Sequence, residues 1–292
     1  MNTLFQEMGY YTEIQKKVNL GSRGKKEIDV YIRDDRASVN QIMLVECKNW
    51  ASRVAQGTVH EMHFVMQNSG ANTGFIISQM GFQAGAYEAA KDTNIHLLTW
   101  EDLQHTFRKQ WLRHQTNLLD LVVAEMRGID SAHLDQSETV KTIHNNMFFG
   151  TTKQRRELLD VLADIRIAQF AAMSQPKRYD EPPPITVSAD EGYPGSVKSV
   201  HGDYELHLAS VRDFYAWLIP WSRSLVAKYR SLSVQARQTF DALPQGDQRK
   251  AFERALNEIK EETPIRVFRD TLGELRYQEL LDSLEKARAS VP

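Results

Sequence analysis

The chain has 292 residues, of which 41% are hydrophobic, and its 36 lysines and arginines nearly balance its 38 aspartates and glutamates. This size and composition allow a sizeable core in one large or two ordinary domains. The formal net charge of −2 gives no overall basic surface for nucleic acid, so a nucleic-acid function requires a local site. Because Cys47 is the only cysteine, an intramolecular disulfide and a cysteine-based zinc cluster are both excluded.

The apolar segments of the chain are short. The longest runs, LLDLVV and FYAWLIPW, fall far below the roughly 20 residues that a membrane-spanning helix requires. The first residues, MNTLFQEMGYYTE, lack the basic region followed by an apolar one that is typical of a secretory signal. We therefore expect a cytoplasmic protein without a membrane partner.

In chain order, the first third alternates short helices and strands. LFQEMGYYTEIQKKV predicts a short helix that ends near Gly9 and leads into an edge strand. EIDVYI and IMLVECK predict an antiparallel hairpin, because the Asp, Ser and Asn content of RDDRASVN is typical of a connecting turn. Four further segments predict a helix, a strand, a helix and a strand: GTVHEMHFVMQNSGA, TGFIIS, GAYEAAKDTN and IHLLTW. This alternation predicts an α/β domain over residues 1–105, with a mixed sheet flanked by helices.

Beyond this domain the apolar residues recur mainly at helical spacing. Residues 106–175 are predicted to be helical. Three consecutive prolines at 182–184 predict that residues 176–196 form a linker or long loop, because proline continues neither a helix nor a central strand. Residues 197–292 are predicted to be mainly helical, with a small hairpin that turns at residues 201–203.

Charged residues interrupt both strands of the predicted hairpin. Because side chains alternate between the faces of a strand, Asp29 and Tyr31 are expected opposite Ile28 and Val30.

In the second strand, Val45 and Cys47 are expected on the core face, and Glu46 and Lys48 on the other face. If the hairpin pairs regularly, Asp29, Glu46 and Lys48 gather on one side of the sheet.

This combination of charges is suited to a divalent cation. Two carboxylates held close together repel each other unless a cation lies between them. Mg²⁺ prefers a few carboxylate or carbonyl oxygens plus waters, and it leaves positions open for a phosphate oxygen. Lys48 lies about 7 Å along the strand from Glu46, where it could orient an attacking water or neutralise charge on the phosphate.

Asp29 followed by Glu46-Cys47-Lys48 resembles the PD-(D/E)xK nuclease motif, with Ile28 where the motif has proline. The segment GFIISQMGFQAGAYEAAKDTNIHLLTWEDL resembles the region that follows the motif in Mrr-type restriction endonucleases. The resemblance covers roughly the first 100 residues and implies a restriction-endonuclease-like fold. It also implies a Mg²⁺-dependent DNA endonuclease of bacterial restriction or anti-phage defence, in which Mn²⁺ substitutes.

The resemblance assigns roles by position. Asp29 and Glu46 would bind the metal, the backbone carbonyl of Cys47 would assist, and Lys48 would serve the hydrolytic water. Mrr-type domains also carry an acidic residue on a helix upstream of the Gly-Tyr pair, which arrives here at Gly9. Either Glu7 or Glu13 substitutes for that residue, or the element is missing.

Further polar residues are candidates around this site. Four of them are candidates to line it: Glu27, Gln56, Glu61 and Gln67. For the three on or before the predicted helix, a solvated outer helix face is the more frequent explanation. Four basic residues are candidates to bind phosphate: Arg23, Lys25, Lys26 and Arg53. A lysine-rich turn that guards an edge strand explains the first three equally well.

A non-catalytic adaptor is the alternative to an enzyme. In that case the nuclease-like domain binds nucleic acid or a partner protein, and the helical region carries the function. The helical region has mixed charge without a basic stripe, which favours a partner-binding or self-association module such as a homodimer over a second DNA reader.

Overall fold

The structure, a computed structural model, describes residues 1–131, 151–173, 175–176, 186–188, 205–208, 210–244, 246–248 and 250–251. The chain divides into two compact units, Met1–Thr116 and Asn117–Pro292. Among the residues in these ranges, no helix is both long enough and apolar enough to span a bilayer.

The first unit contains a five-stranded sheet and its helices. Its elements are α1 (Asn2–Glu7), β1 (Tyr11–Asn19), a 3₁₀ turn (Gly21–Arg23), β2 (Lys25–Asp34), β3 (Gln41–Lys48), α2 (Gln56–Ser69), β4 (Thr73–Ser78), α3 (Ala84–Ala90), β5 (Ile95–Leu98) and the start of α4 (Trp100–Ser131). The strands lie in the order β1-β2-β3-β4-β5. The first three are antiparallel, and β3, β4 and β5 are parallel. The predicted α/β class with a mixed sheet is confirmed.

Glycines follow two helices of the first unit. Gly9 follows α1 with a φ of 79°, and Gly70 ends α2 with a φ of 75° in the left-handed region. Glycine adopts this conformation without the steric penalty of a Cβ atom. The predicted end of the first helix near Gly9 is therefore confirmed, and the chain turns there directly into β1.

Both faces of the sheet are buried. Leu44 and Val45 are neighbours in β3, and each is fully buried. Since neighbouring side chains of a strand point to opposite faces, helices cover the sheet on both sides. On one face Leu44 shares a hydrophobic cluster with Val59 and Met62 of α2. The two covered faces hold the middle of β3 in place.

Aromatic rings pack elsewhere in the core of the first unit. Phe107 of α4 lies edge-on to Phe5 of α1 and to Phe75 of β4, with ring centroids 5.2 and 5.6 Å apart. Edge-to-face contacts of this kind stabilise a core beyond the area that they bury.

The strict alternation predicted for β2 is wrong between Ile28 and Tyr31. These residues were expected on opposite faces, yet both belong to the hydrophobic cluster that includes α2. Lys16 of β1 pairs with Ile28, and its amine lies over the Tyr31 ring at 3.7 Å. The β1–β2 pairing omits the Gln15–Asp29 position, and Gln15 has a φ of 50°. The regular pleat is therefore interrupted beside Asp29.

The expectation that Cys47 lies on the core face is also wrong, because Cys47 is exposed. The last paired residues of β2 and β3 at this end are Val30 and Val45. Cys47 lies beyond them, where β3 has separated from the regular ladder with β2. Its thiol nevertheless reaches Met1, with 3.7 Å between the two sulfur atoms.

The second unit is mainly helical, as predicted. Its further elements are the rest of α4, α5 (Thr152–Met173), β6 (Thr186–Ser188), β7 (Glu205–His207) and α6 (Val211–Asp241). Helices α5 and α6 pack together. Ser210 caps α6, since its hydroxyl oxygen accepts a hydrogen bond of 3.2 Å from the Asp213 amide.

A short strand occupies part of the predicted linker. Strand β6, Thr186–Ser188, pairs antiparallel with β7, Glu205–His207. The linker prediction is therefore wrong at these three residues, because Thr-Val-Ser favours an extended chain and β7 supplies its hydrogen-bond partner. The predicted hairpin turn at residues 201–203 lies outside the described residues.

Candidate active site

The site begins where β2 and β3 separate. The side chain of Asp29 reaches across to β3, and its Oδ2 accepts a hydrogen bond of 2.6 Å from the backbone amide of Cys47. This bond takes the place of the ladder contact that the strands no longer make there. It leaves the second carboxylate oxygen of Asp29 for another partner, and it brings Asp29 to the Glu46-Cys47-Lys48 segment.

Glu46 and Lys48 form a partly buried ion pair. The Lys48 amine lies 2.6 Å from Glu46 Oε1, and the two side chains are only 16% and 15% exposed. Residues two apart in a strand lie on the same face, so the motif spacing produces the pair directly. The other carboxylate oxygen, Glu46 Oε2, is buried and has no hydrogen-bond partner. A buried charged oxygen without a partner is costly and calls for a cation.

Both acids also act on the Cys47 thiol. Loss of hydration around the thiol, followed by the negative charges of Asp29 and Glu46, raises the pKa of Cys47 to about 11. Both charges disfavour the thiolate, since like charges repel. The negative charges of both carboxylates therefore affect the same residue of β3, Cys47.

Lys26 and Glu61 are brought to the same region. The Lys26 amine forms an ion pair with Glu61 of α2. This hydrogen bond raises the pKa of Lys26 against the opposing effect of partial burial, and the charges of Glu46 and Asp29 add to the rise. Lys26 thus belongs to the electrostatic surroundings of the two acids.

The other predicted basic residues lie in the 3₁₀ turn, at the start of β2 and in the loop after β3. Arg23 donates a hydrogen bond of 2.8 Å to Asn68 near the end of α2, and its guanidinium lies 6.0 Å from the Phe64 ring. Lys25 is exposed at the start of β2, and Arg53 is exposed in the loop between β3 and α2. Their role in binding phosphate stays a prediction.

The remaining three residues that were predicted to line the site lie in β2 and α2 of the first unit. Gln56 begins α2 and packs on α3, since a Cβ added to Gly85 would lie 2.9 Å from Gln56 Oε1. Glu27 is exposed opposite Lys17 of β1. Gln67 is exposed, six residues beyond Glu61 in α2. These three positions also stay predictions.

Neither proposed substitute for the upstream acid lies with Asp29. Glu7 Oε2 accepts a hydrogen bond of 2.9 Å from the indole of Trp111. Glu13 accepts hydrogen bonds from Lys16 at 2.6 Å and from the Tyr11 hydroxyl at 2.8 Å. Both carboxylates are therefore engaged elsewhere in the first unit.

One neighbour of the site was missed by the sequence analysis. Trp50 follows β3, and the Lys48 amine lies 5.1 Å from the centre of its ring. The Lys-x-Trp spacing could have predicted this contact, because residues two apart in an extended chain point to the same side. Cation–π attraction of this kind orients the amine toward the ring face.

The donor set fits a hard divalent cation. Within the described ranges, no three His, Cys, Asp or Glu side chains gather closely enough to hold a metal by themselves. Asp29 and Glu46 instead supply two carboxylates, and Glu46 Oε2 has no hydrogen-bond partner, while the part of the Cys47 carbonyl stays a prediction. Mg²⁺ is bound by one or two carboxylates plus waters and phosphate oxygens, so this smaller set is sufficient.

Comparisons with known proteins identify a family for the N-terminal third of the chain. No curated protein matches the chain. A solved structure of a protein of unknown function, AF1548, is 21% identical with a TM-score of 0.30. That match covers 34% of this chain and 54% of the other, so the chain spans about half of that protein's length. The family model Mrr_cat, described as restriction endonuclease, matches residues 1–107. The predicted resemblance is therefore confirmed: the N-terminal third of the chain matches the Mrr-type restriction endonuclease family.

Proposed function

We propose that the first unit is a Mg²⁺-dependent DNA endonuclease, with Mn²⁺ as a substitute, that serves bacterial restriction or anti-phage defence in the cytoplasm. The observation that carries this proposal is the partly buried Glu46–Lys48 pair beside Asp29, with the buried Glu46 Oε2 unpartnered. A charged oxygen that is buried without a partner is costly in a purely structural ion pair.

The proposed metal ligands are Asp29, Glu46 and the backbone carbonyl of Cys47. The Cys47 amide holds one oxygen of Asp29, which fixes the carboxylate and leaves the other oxygen free to bind. A divalent cation bound there would balance the two negative charges, polarise a phosphate oxygen and lower the pKa of a coordinated water.

Lys48 is the proposed residue that acts on the nucleophile. Its amine has three N–H donors, of which one is directed at Glu46 Oε1. The other two are available to orient a water or to stabilise negative charge on the phosphate. The water attacks phosphorus in line with the leaving oxygen, so the phosphodiester bond breaks as the new P–O bond forms.

A plasmid cleavage assay tests this proposal. Wild type, Asp29→Ala and Lys48→Ala are incubated with supercoiled DNA and Mg²⁺ or Mn²⁺. We expect nicking or linearisation by wild type and a loss of about 100-fold or more in each variant. Lys17→Ala and Glu88→Ala are matched controls, because both side chains are exposed on other elements of the same unit. Equal cutting by all five proteins would assign the activity to another site or to a contaminant.

The second candidate is an adaptor that binds nucleic acid or a partner protein without cutting. The observation that favours it is the engagement of Glu7 and Glu13 elsewhere, which leaves the site with two acids. An adaptor would bind DNA equally well with Mg²⁺ and with EDTA and would leave it intact. The endonuclease is expected to bind DNA more tightly with a divalent cation and to cut it.

The helical part of the chain is proposed to serve assembly. Cutting both strands of a duplex with one site in each chain favours a homodimer, whose two sites face opposite strands. Residues 106–175 and 197–292, joined through 176–196, would supply that contact or bind a partner protein. The mass of the protein in solution, compared with that of residues 1–116, tests this role.

A further inference from the structure

Three exposed apolar side chains follow the three parallel strands at one edge of the sheet. Trp50, Met80 and Trp100 are 46%, 51% and 45% exposed. Lys48 of β3 pairs with Ser78 of β4, so Trp50 and Met80 are each two residues beyond a paired position. Trp100 is likewise two residues beyond Leu98, the last paired residue of β5. We call these three residues the apolar row.

Backbone hydrogen bonds fix the loops that carry the first two members of the row. The Gln79 amide donates to the Lys48 carbonyl at 3.4 Å, directly between the two strand ends. The Val54 amide donates to the Gly81 carbonyl at 3.0 Å, and the Gln83 amide donates to the Val54 carbonyl at 2.9 Å. Trp50 and Met80 are therefore presented on two loops that are tied to each other. A binding surface of this kind loses little conformational entropy when it is occupied.

The row begins at the proposed catalytic lysine. Trp50 is in contact with Lys48 through its ring face. Arg53 is exposed in the same loop, three residues further on. Aromatic rings on which bases stack, combined with basic groups that follow the phosphates, are typical of surfaces that bind single-stranded nucleic acid. The loop between β3 and α2 has both features beside the site.

We propose that the apolar row binds unpaired bases of a single-stranded DNA segment whose backbone passes Lys48, an inference that rests on the proposed nuclease function. The row extends across three neighbouring strands, about 10 Å at the usual strand spacing. Stacked bases repeat about every 3.4 Å along a strand, so this length accommodates two or three bases.

A double helix is a poorer occupant of this surface. Its bases are enclosed, and its outer surface is formed by charged phosphates and sugars. Large exposed apolar side chains gain nothing from contact with phosphates, whereas they gain from stacking on an unpaired base. The row therefore favours unpaired bases beside the reactive lysine, either in single-stranded DNA or in a duplex that is opened locally.

Fluorescence anisotropy with a labelled oligothymidine of about 20 nucleotides tests the proposal. Ca²⁺ replaces Mg²⁺, and the length of the oligonucleotide is checked on a gel afterwards. We expect Trp50→Ala to raise the Kd about tenfold and Trp50→Phe to restore most of the binding. Trp100→Ala is expected to raise the Kd about threefold, since that residue is further from Lys48.

Tyr11→Ala is the matched control. Tyr11 is 42% exposed, and it pairs with Arg33 at the opposite end of the sheet. Its replacement is expected to leave the Kd within about twofold of wild type. All variants are first compared by circular dichroism and thermal melting, so that a misfolded variant is recognised.

Two results would overturn the proposal. One is a Trp50→Ala variant that binds oligothymidine as tightly as wild type. The other is a wild-type dimer that becomes monomeric in Trp50→Ala with unchanged DNA binding, which would assign the row to protein contact. If either result is obtained while the wild type still cuts plasmid DNA, only the role of the apolar row is refuted, and the proposed nuclease function is unaffected. Absence of cutting and of DNA binding in wild type would remove the nuclease function itself.

Discussion

Two glutamate–lysine pairs on the sheet have the same length and different surroundings. Lys16 lies 2.6 Å from Glu13 in the edge strand β1, and Lys48 lies 2.6 Å from Glu46 in the central strand β3. In β1 the lysine and glutamate are 27% and 37% exposed, whereas in β3 they are 16% and 15% exposed. Distance alone therefore does not distinguish an ordinary surface ion pair from a candidate catalytic pair.

The difference lies in the second oxygen and in the neighbouring charges. Lys16 and Tyr11 both donate to Glu13 Oε1, and these hydrogen bonds lower the pKa of Glu13, whose side chain is 37% exposed to solvent. Glu46 retains a buried oxygen without a partner, and Asp29 lies on the same segment of β3. An exposed pair contributes little to stability, and the partly buried Glu46–Lys48 pair is the one that we propose to serve the chemistry.

The largest expected contrast is in DNA cleavage. Glu46→Gln removes a proposed metal ligand but preserves the side-chain shape, so plasmid cleavage with Mg²⁺ should fall by about 100-fold or more. Glu13→Gln makes the same chemical change in β1 and should leave cleavage within about twofold of wild type. Similar losses in both variants would mean that the two pairs are not functionally different.

The next contrast is in stability without metal. Lys48→Met leaves the Glu46 charge partly buried and unpaired, which is expected to lower the free energy of unfolding by about 2 kcal/mol. Lys16→Met should lower it by less than half as much, because Glu13 is more exposed and keeps Tyr11 as a partner. Urea unfolding in EDTA, followed by circular dichroism, measures the difference. A larger loss for Lys16→Met would reverse the ranking of the pairs.

A smaller effect is expected on the reactivity of Cys47. The pKa of about 11 means that little thiolate is present near neutral pH, so alkylation by iodoacetamide should be slow. Asp29→Asn removes one of the charges that raise this pKa and should accelerate alkylation about threefold. Asp35→Asn, in the exposed turn after β2, is the control. An unchanged rate in Asp29→Asn would place the Asp29 charge away from β3.

The smallest expected effect is on the pH dependence of the stability that the exposed Glu13–Lys16 pair contributes. The pKa of Glu13 lies below its ordinary value of 4.5, so its contribution to stability is present above that pH. The contribution is lost as the pH falls through the lowered pKa of the folded state. The difference in melting temperature between wild type and Glu13→Gln should therefore be larger near pH 6 than near pH 3. A difference that grew toward acid would contradict the direction of the shift.

Much of the first unit could be predicted because its local patterns agree with its tertiary structure. The period-two apolar pattern and the Asp, Ser and Asn turn identified the β2–β3 hairpin, and the helical spacing of Val59, Met62 and Met66 identified α2. The Glu46–Lys48 pair follows from the same period, since residues two apart share a face.

Other features depend on interactions that local patterns do not contain. The shared cluster of Ile28 and Tyr31 results from an interruption of the β1–β2 ladder, where Gln15 adopts a positive φ. The bond from the Cys47 amide to Asp29 forms only because the regular pairing covers neither the residues before Val30 in β2 nor those after Val45 in β3. Strand β6 depends on a partner strand that is distant in sequence. Such pairings are set by tertiary contacts rather than by propensity.

The most direct test of the account is a calorimetric titration of Mn²⁺ into the DNA-free protein. We predict one weak site in wild type, with an affinity that falls at least about tenfold in Asp29→Asn and in Glu46→Gln. Glu13→Gln should bind Mn²⁺ as wild type does. Absence of binding in wild type, or equal affinity in all four proteins, would contradict the claim that Asp29 and Glu46 together hold a divalent cation.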